Sequence, residues 1–169
     1  MSENRIRVAR DKAELVKSLI GSADNNSPFQ TYADAILFAA VLGAKQNRRV
    51  PLGEIAKKEP GPISIEIFMA RGYDPVIKLI AIAVTENINV ISPIGGSAPG
   101  SNRSDFEQQR IQIFEEYANG GLEILDRELC GAVDYTERIL LMLSAALGSS
   151  DVDASTTAPA EFDLRKFLG

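Results

Sequence analysis

Residues 32–42 (YADAILFAAVL) limit the fold more than any other stretch, because after Asp34 they form a helix that is apolar on nearly every side. A helix without a polar face has to be covered all round, by the rest of its own chain or by a second copy. Thr31 followed by Asp34 has a weak form of capping-box spacing and sets the start. Gly43 can adopt the left-handed conformation that ends a helix, so the expected span stops at residue 42. The remaining question is what supplies the cover.

Upstream, Arg5, Ile6, Arg7 and Val8 alternate polar and apolar. Successive side chains of an extended chain point to opposite faces, so the pattern predicts a short strand with Ile6 and Val8 inward and both arginines outward. Asp11 followed by Glu14 also has capping-box spacing and opens a first helix over residues 12–20. A basic strand followed by two capped helices is the order of a ribbon-helix-helix unit, in which strands of two protomers pair into a ribbon that lies in the DNA major groove.

On that reading the protein is a homodimer and the dimer core covers the second helix. Arg5 and Arg7 face bases, with Arg10 beside them. Thr31 and Tyr32 meet the DNA backbone, where the free amides and dipole of a helix start favour an anion. Lys45, Arg48 and Arg49, clustered before Pro51, add candidate phosphate contacts. The competing reading makes residues 5–20 one amphipathic helix, with Val8, Lys12, Leu15, Val16 and Leu19 on a stripe, and the later basic cluster a solvated loop. The connection over residues 21–30 (GSADNNSPFQ) is longer than the tight turn expected of such a unit, although its composition is loop chemistry.

Charge divides the chain. Residues 1–58 carry ten Lys/Arg and six Asp/Glu, a net +4, whereas residues 59–169 carry eight and seventeen, a net −9. That asymmetry predicts two working faces, a basic one and an acidic one. The breaker at residues 57–62 (KKEPGP) marks the boundary, so the expected organisation is a basic strand-helix-helix unit over 1–58 followed by a helical body over 59–147.

Within the body, residues 63–70 fit a strand or a helix, with the helix favoured. Asp74 and Pro75 suit the start of a buried helix over residues 74–84. Residues 92–102 (SPIGGSAPGSN) read as a flexible linker whose glycines lack the Gly-Lys-Ser/Thr ending of a phosphate loop. Ser104 with Glu107 opens a helix carrying Phe106, Ile113, Phe114 and Tyr117 on one face, and Asn119, Gly120 and Gly121 are expected to interrupt it. A further helix over 122–130 stops at Gly131, and Asp134 with Glu137 opens a last one through Leu147 before Gly148. Three such helices with short connections predict an antiparallel bundle. Residues 148–169 are expected to be a disordered tail, with the apolar pairs Phe162/Leu164 and Phe167/Leu168 as either a short docking motif or an end that packs back. The fold class is therefore mainly α, with a ribbon-helix-helix-like start and a bundle behind it.

The chemistry available is narrow. Histidine is absent, which removes the commonest general base and metal ligand, so an enzyme starts at a disadvantage. Glu115, Glu116, Glu123, Asp126 and Glu128 are the densest carboxylates, and their helical spacing predicts a solvated acidic face rather than a metal site. No cofactor is expected. The single cysteine, Cys130, follows Leu129 in an apolar pattern and is expected to be buried and inert. No apolar run is long enough for a membrane span and the first residues lack a signal-peptide pattern, so the expected location is the cytoplasm.

Three strings carry a resemblance: residues 113–125 (IFEEYANGGLEIL), 131–140 (GAVDYTERIL) and 29–43 (FQTYADAILFAAVLG). Together they resemble the small DNA phosphorothioation-associated proteins of bacterial dnd systems, which replace a nonbridging phosphate oxygen of DNA with sulfur and defend against phage. The resemblance covers residues 5–147 and brings no catalytic residues with it. It implies an accessory role near modified DNA, with duplex DNA and other proteins of the system as expected partners. Two functions follow as alternatives: a DNA-binding accessory or regulator, and an adaptor that binds another protein of the system without touching DNA.

Overall fold

The computed structural model describes residues 4–21, 27–91 and 103–153. Among them it is mainly helical, with one two-stranded sheet. The order is β1 (Arg5–Ile6), a 3-10 turn (Arg10–Lys12), α1 (Ala13–Ser18), α2 (Tyr32–Lys45), β2 (Ile63–Ser64), α3 (Ile65–Ala70), α4 (Asp74–Thr85), a second 3-10 turn (Ile88–Ile91), α5 (Arg103–Leu129) and α6 (Tyr135–Asp153).

The axis of the molecule is α5, whose 27 residues extend about 40 Å. It runs without a break through Asn119, Gly120 and Gly121, where the sequence predicted an interruption. The cause is close packing. A Cβ on Gly121 would stand 1.7 Å from the Ala39 carbonyl oxygen, and one on Gly43 would stand 2.1 Å from that of Tyr117. Helices α2 and α5 therefore meet backbone against backbone, with Ala39, Ala40 and Gly43 on one side and Tyr117, Ala118 and Gly121 on the other, all buried. This contact supplies most of the cover that the apolar α2 requires, within one chain and without a dimer core. Gly43 accordingly lies inside the helix rather than at its end. The left-handed residue falls at Asn47, where φ is 50°.

The first residues behave as their alternation predicts on one point and differ on another. Ile6 and Val8 are buried and Arg5 and Arg7 lie on the outer face. The strand's partner, however, is in the same chain: β1 pairs antiparallel with β2, Arg5 opposite Ser64 and Ile6 opposite Ile63. The pairing continues on that edge, where the Ile65 N–H donates to the Asn4 carbonyl at 2.9 Å and the Ala56 N–H to that of Val8 at 2.9 Å. Residues from both sides of position 58 thus share one core.

Other boundaries follow local chemistry. Thr31 and Asp34 form a full capping box at the start of α2. Asp11, by contrast, caps nothing: α1 begins from Lys12 without a side-chain cap, and Asp11 instead pairs with Lys12 at 3.3 Å. The ambiguous stretch is both things in turn, two residues of strand and then α3, whose Phe68 stacks edge-on against Phe114 with ring centroids 5.7 Å apart. Pro75 sits in the first turn of α4. Asp134 accepts from the Glu137 N–H at 3.0 Å, and α6 runs past Gly148 to Asp153. The expected linker and the end of the tail, residues 154–169, lie outside the described residues.

Candidate functional site

Three of the basic residues that the sequence marks as candidates, Arg7, Arg48 and Arg49, pair with carboxylates of α5. Arg7 is the clearest case. Its backbone N–H donates to Glu115 Oε1 at 2.7 Å, its Nε to the same oxygen at 2.9 Å, and its Nη2 to Oε2 at 2.7 Å. Glu115 is 1% exposed. The hydrogen bond that Arg7 donates to Glu115 raises its already high pKa further, against the opposing effect of burial.

This arrangement closes the second edge of β1. The odd-numbered backbone groups of the strand point away from β2, and the Arg7 N–H among them is the group a second protomer's strand would need. A carboxylate of the same chain already holds it. Hence the Arg7 N–H is engaged within the chain, and the Arg7 guanidinium, 44% exposed, is paired with α5.

The loop after α2 is fixed in the same way. Arg49 Nε donates to Glu116 Oε2 at 2.5 Å, and Arg48 Nη2 to Glu123 Oε2 at 2.6 Å. The Val50 N–H reaches the Glu116 carbonyl at 3.0 Å, and Asn119 Nδ2 donates to the carbonyls of Val50 and Pro51. Gly120 permits this contact, because its Cβ would stand 1.9 Å from the Arg48 carbonyl oxygen. Nearer the end of α5, Lys12 lies 3.6 Å from Asp126, and Arg138 of α6 bonds Glu128 at 3.1 Å. The expected acidic face is therefore in part an internal seam: Glu115 and Glu116 are buried, whereas Asp126 is exposed. Among the described residues no group of three His, Cys, Asp or Glu side chains is placed to hold a metal ion.

The remaining candidates are distributed more loosely. Arg10 pairs with Glu54 at 2.8 Å, both exposed. Arg5 Nη1 approaches the Pro62 carbonyl at 3.5 Å. Tyr32 donates to Glu59 at 2.9 Å, and its hydroxyl pKa is raised by burial and then by that carboxylate. Lys45 is exposed. Thr31 uses its hydroxyl to accept the Asp34 N–H, so the helix start predicted to meet a phosphate carries its own carboxylate instead.

Asp34 does more than close the capping box. It also accepts two hydrogen bonds from Arg71, at 3.0 and 2.9 Å, and one from the Tyr73 hydroxyl at 2.6 Å. Burial pushes its pKa up, but the bonds from Arg71, Tyr73 and Thr31 outweigh it and hold the carboxyl below its usual range. The sequence signal for Glu115 was present but unused. Ile111, Ile113, Phe114, Tyr117 and Ala118 surround it, so α5 is buried on more than one side at that level.

Large apolar side chains are also open to solvent. On α6, Leu140, Leu141, Leu143 and Leu147 are exposed, as are Ile67 and Met69 on α3 and Leu79 on α4. Cys130 is exposed as well, contrary to expectation, because it lies in the turn just past the end of α5.

The fold and seam define a small, helix-centred protein in which Arg7, Arg48 and Arg49 pair with carboxylates of α5 while apolar side chains of α3, α4 and α6 are exposed. The family model for DNA sulphur modification system-associated protein 4 matches residues 5–167, and the chain belongs to that family. No curated protein and no solved structure matches it. Among the described residues, no helix is long and apolar enough to cross a membrane.

Proposed function

We propose that the protein is a non-catalytic accessory component of a bacterial DNA phosphorothioation system that works as an adaptor, binding another protein of that system rather than reading DNA. The family gives the system. One observation supports the adaptor over the DNA reader: Arg7, Arg48 and Arg49, chosen as DNA contacts, are held by Glu115, Glu123 and Glu116 of α5. Releasing them to phosphates would strand buried carboxylates, a cost of several kcal/mol in each fully buried case. The exposed apolar residues of α3, α4 and α6 are the kind of surface that protein partners cover.

A DNA reader would have to rely on the remaining exposed cations, such as Lys45, Lys57 and Lys58. Fluorescence anisotropy on unmodified and phosphorothioated duplexes, at low and physiological salt, separates the two. The adaptor reading expects no saturable binding at low salt, together with copurification of another system component that survives Lys45→Ala, Lys57→Ala and Lys58→Ala. Saturable binding with steep salt dependence would overturn it and restore the dimeric DNA-binding reading.

A further inference from the structure

Between α1 and residues 54–59 lies a cleft of about 1180 Å³. Ala13 and Lys17 line one wall, and Ile55, Lys57 and Lys58 the other. The second wall is extended at Ile55, which bridges antiparallel to Ala9. Neighbours on either side hold that bridge: the Arg10 N–H donates to the Glu54 carbonyl at 2.6 Å and the Ala56 N–H to the Val8 carbonyl at 2.9 Å. In a pair of this kind the N–H and C=O of Ile55 itself point away from residues 8–10. Among the described residues neither has a hydrogen-bond partner. The charges around the cleft are unequal. Glu14 pairs with Lys17 at 2.7 Å, Glu54 with Arg10 at 2.8 Å, and Glu59 accepts from the Tyr32 hydroxyl at 2.9 Å. Lys57 and Lys58 are exposed and make no ion pair among the described residues.

We propose that the cleft takes an extended acidic segment of a partner protein, which adds as a strand along the open edge at Ile55 and sets carboxylates against Lys57 and Lys58. An added strand offers N–H and C=O groups in alternation, so it meets both open groups of Ile55 at once. Its side chains alternate too. Apolar residues between the acidic ones can rest on Ile55 and Pro62, which line the same cleft.

Other occupants fit less well. A phosphate backbone only accepts hydrogen bonds, so DNA laid in the cleft would leave the Ile55 C=O unmet, and Glu14, Glu54 and Glu59 oppose a run of phosphates there. A second copy offering the same edge would bring the two unpaired lysines of each chain to one strip, where like charges repel. No residue of α3, α4 or α6 lines the cleft. It is therefore a contact additional to the apolar faces of the adaptor reading, and a component held on those faces still copurifies when Lys57 and Lys58 are replaced.

The test is fluorescence anisotropy of the full chain with a short labelled peptide that alternates glutamate and valine. Binding should be saturable, and Lys57→Glu plus Lys58→Glu should weaken it about tenfold with circular dichroism unchanged. Methylating one of the two alternate sets of peptide nitrogens should also weaken it about tenfold, and methylating the other set should not, because only one set faces Ile55. No saturable binding would overturn the proposal, as would binding that the lysine and methyl changes both leave intact. So would saturable binding of unmodified duplex DNA that the same lysine changes abolish, or self-association of the unaltered chain that they abolish. Copurification of a system component, followed in parallel, reports on the adaptor reading alone.

Discussion

Arg7 and Glu115, 108 residues apart in sequence, are joined by three hydrogen bonds that end on one carboxylate. Glu115 is fully buried at the side chain while Arg7 is 44% exposed, so the pair lies at the edge of the core rather than inside it. Removing the arginine leaves a buried carboxylate with one donor. Arg7→Ala should therefore destabilise the fold by about 2–3 kcal/mol, less than a fully buried pair would lose. Arg48→Ala should cost less than about 1 kcal/mol and Arg10→Ala close to nothing, because their pairs are more exposed. Urea unfolding of the three variants reads the order, and equal losses would contradict it.

Glycine substitutions should change sign with position. Gly121→Ala and Gly43→Ala drive a methyl group into the facing helix backbone, which cannot retreat without separating α2 from α5. Each should cost about 3 kcal/mol or more. Gly148 lies inside α6 with nothing near its absent Cβ. There, Gly148→Ala should stabilise by about 0.5–1 kcal/mol through backbone entropy alone. Thermal melts of the three variants decide the point.

Asp34 links stability to pH. Its carboxyl titrates below the ordinary range in the fold, so its contribution is present above the unfolded value of about 3.9 and is lost as pH falls through the lower folded value. Asp34→Asn should be less stable than the unaltered chain by about 1–2 kcal/mol at neutral pH. The gap should close below about pH 4, as protonation removes the same charge from the original residue. A gap that widens on acidification would reverse the assignment.

Cys130 should react with Ellman's reagent in the native protein, one thiol per chain, without denaturant. A thiol released only on unfolding would show that its exposed position is covered in solution.

Local signals were readable where the cause is local. The capping box at Thr31, the Asp134 cap and the inward Ile6 and Val8 all follow from spacing over a few residues. Gly43, Gly120 and Gly121 misled because a glycine in a helical pattern marks a break unless another backbone needs its space, and that need arises from tertiary contact. The ion pairs of Arg7, Arg48 and Arg49 were not legible for a related reason: net charge along a sequence does not say which opposite charges will meet across the fold.

The α2–α5 contact also sets a schedule for the newborn chain. Most of what shields α2, and the carboxylate that binds Arg7, lie on a helix translated long after them, since Glu115 and Gly121 follow α2 by some seventy residues or more. At ordinary synthesis rates that is an interval on the order of ten seconds. Throughout it, an apolar helix and a cationic arm leave the ribosome with no partner yet made, so the nascent protein depends on translation speed, and on whatever holds it meanwhile, to reach the state in which its charges are hidden.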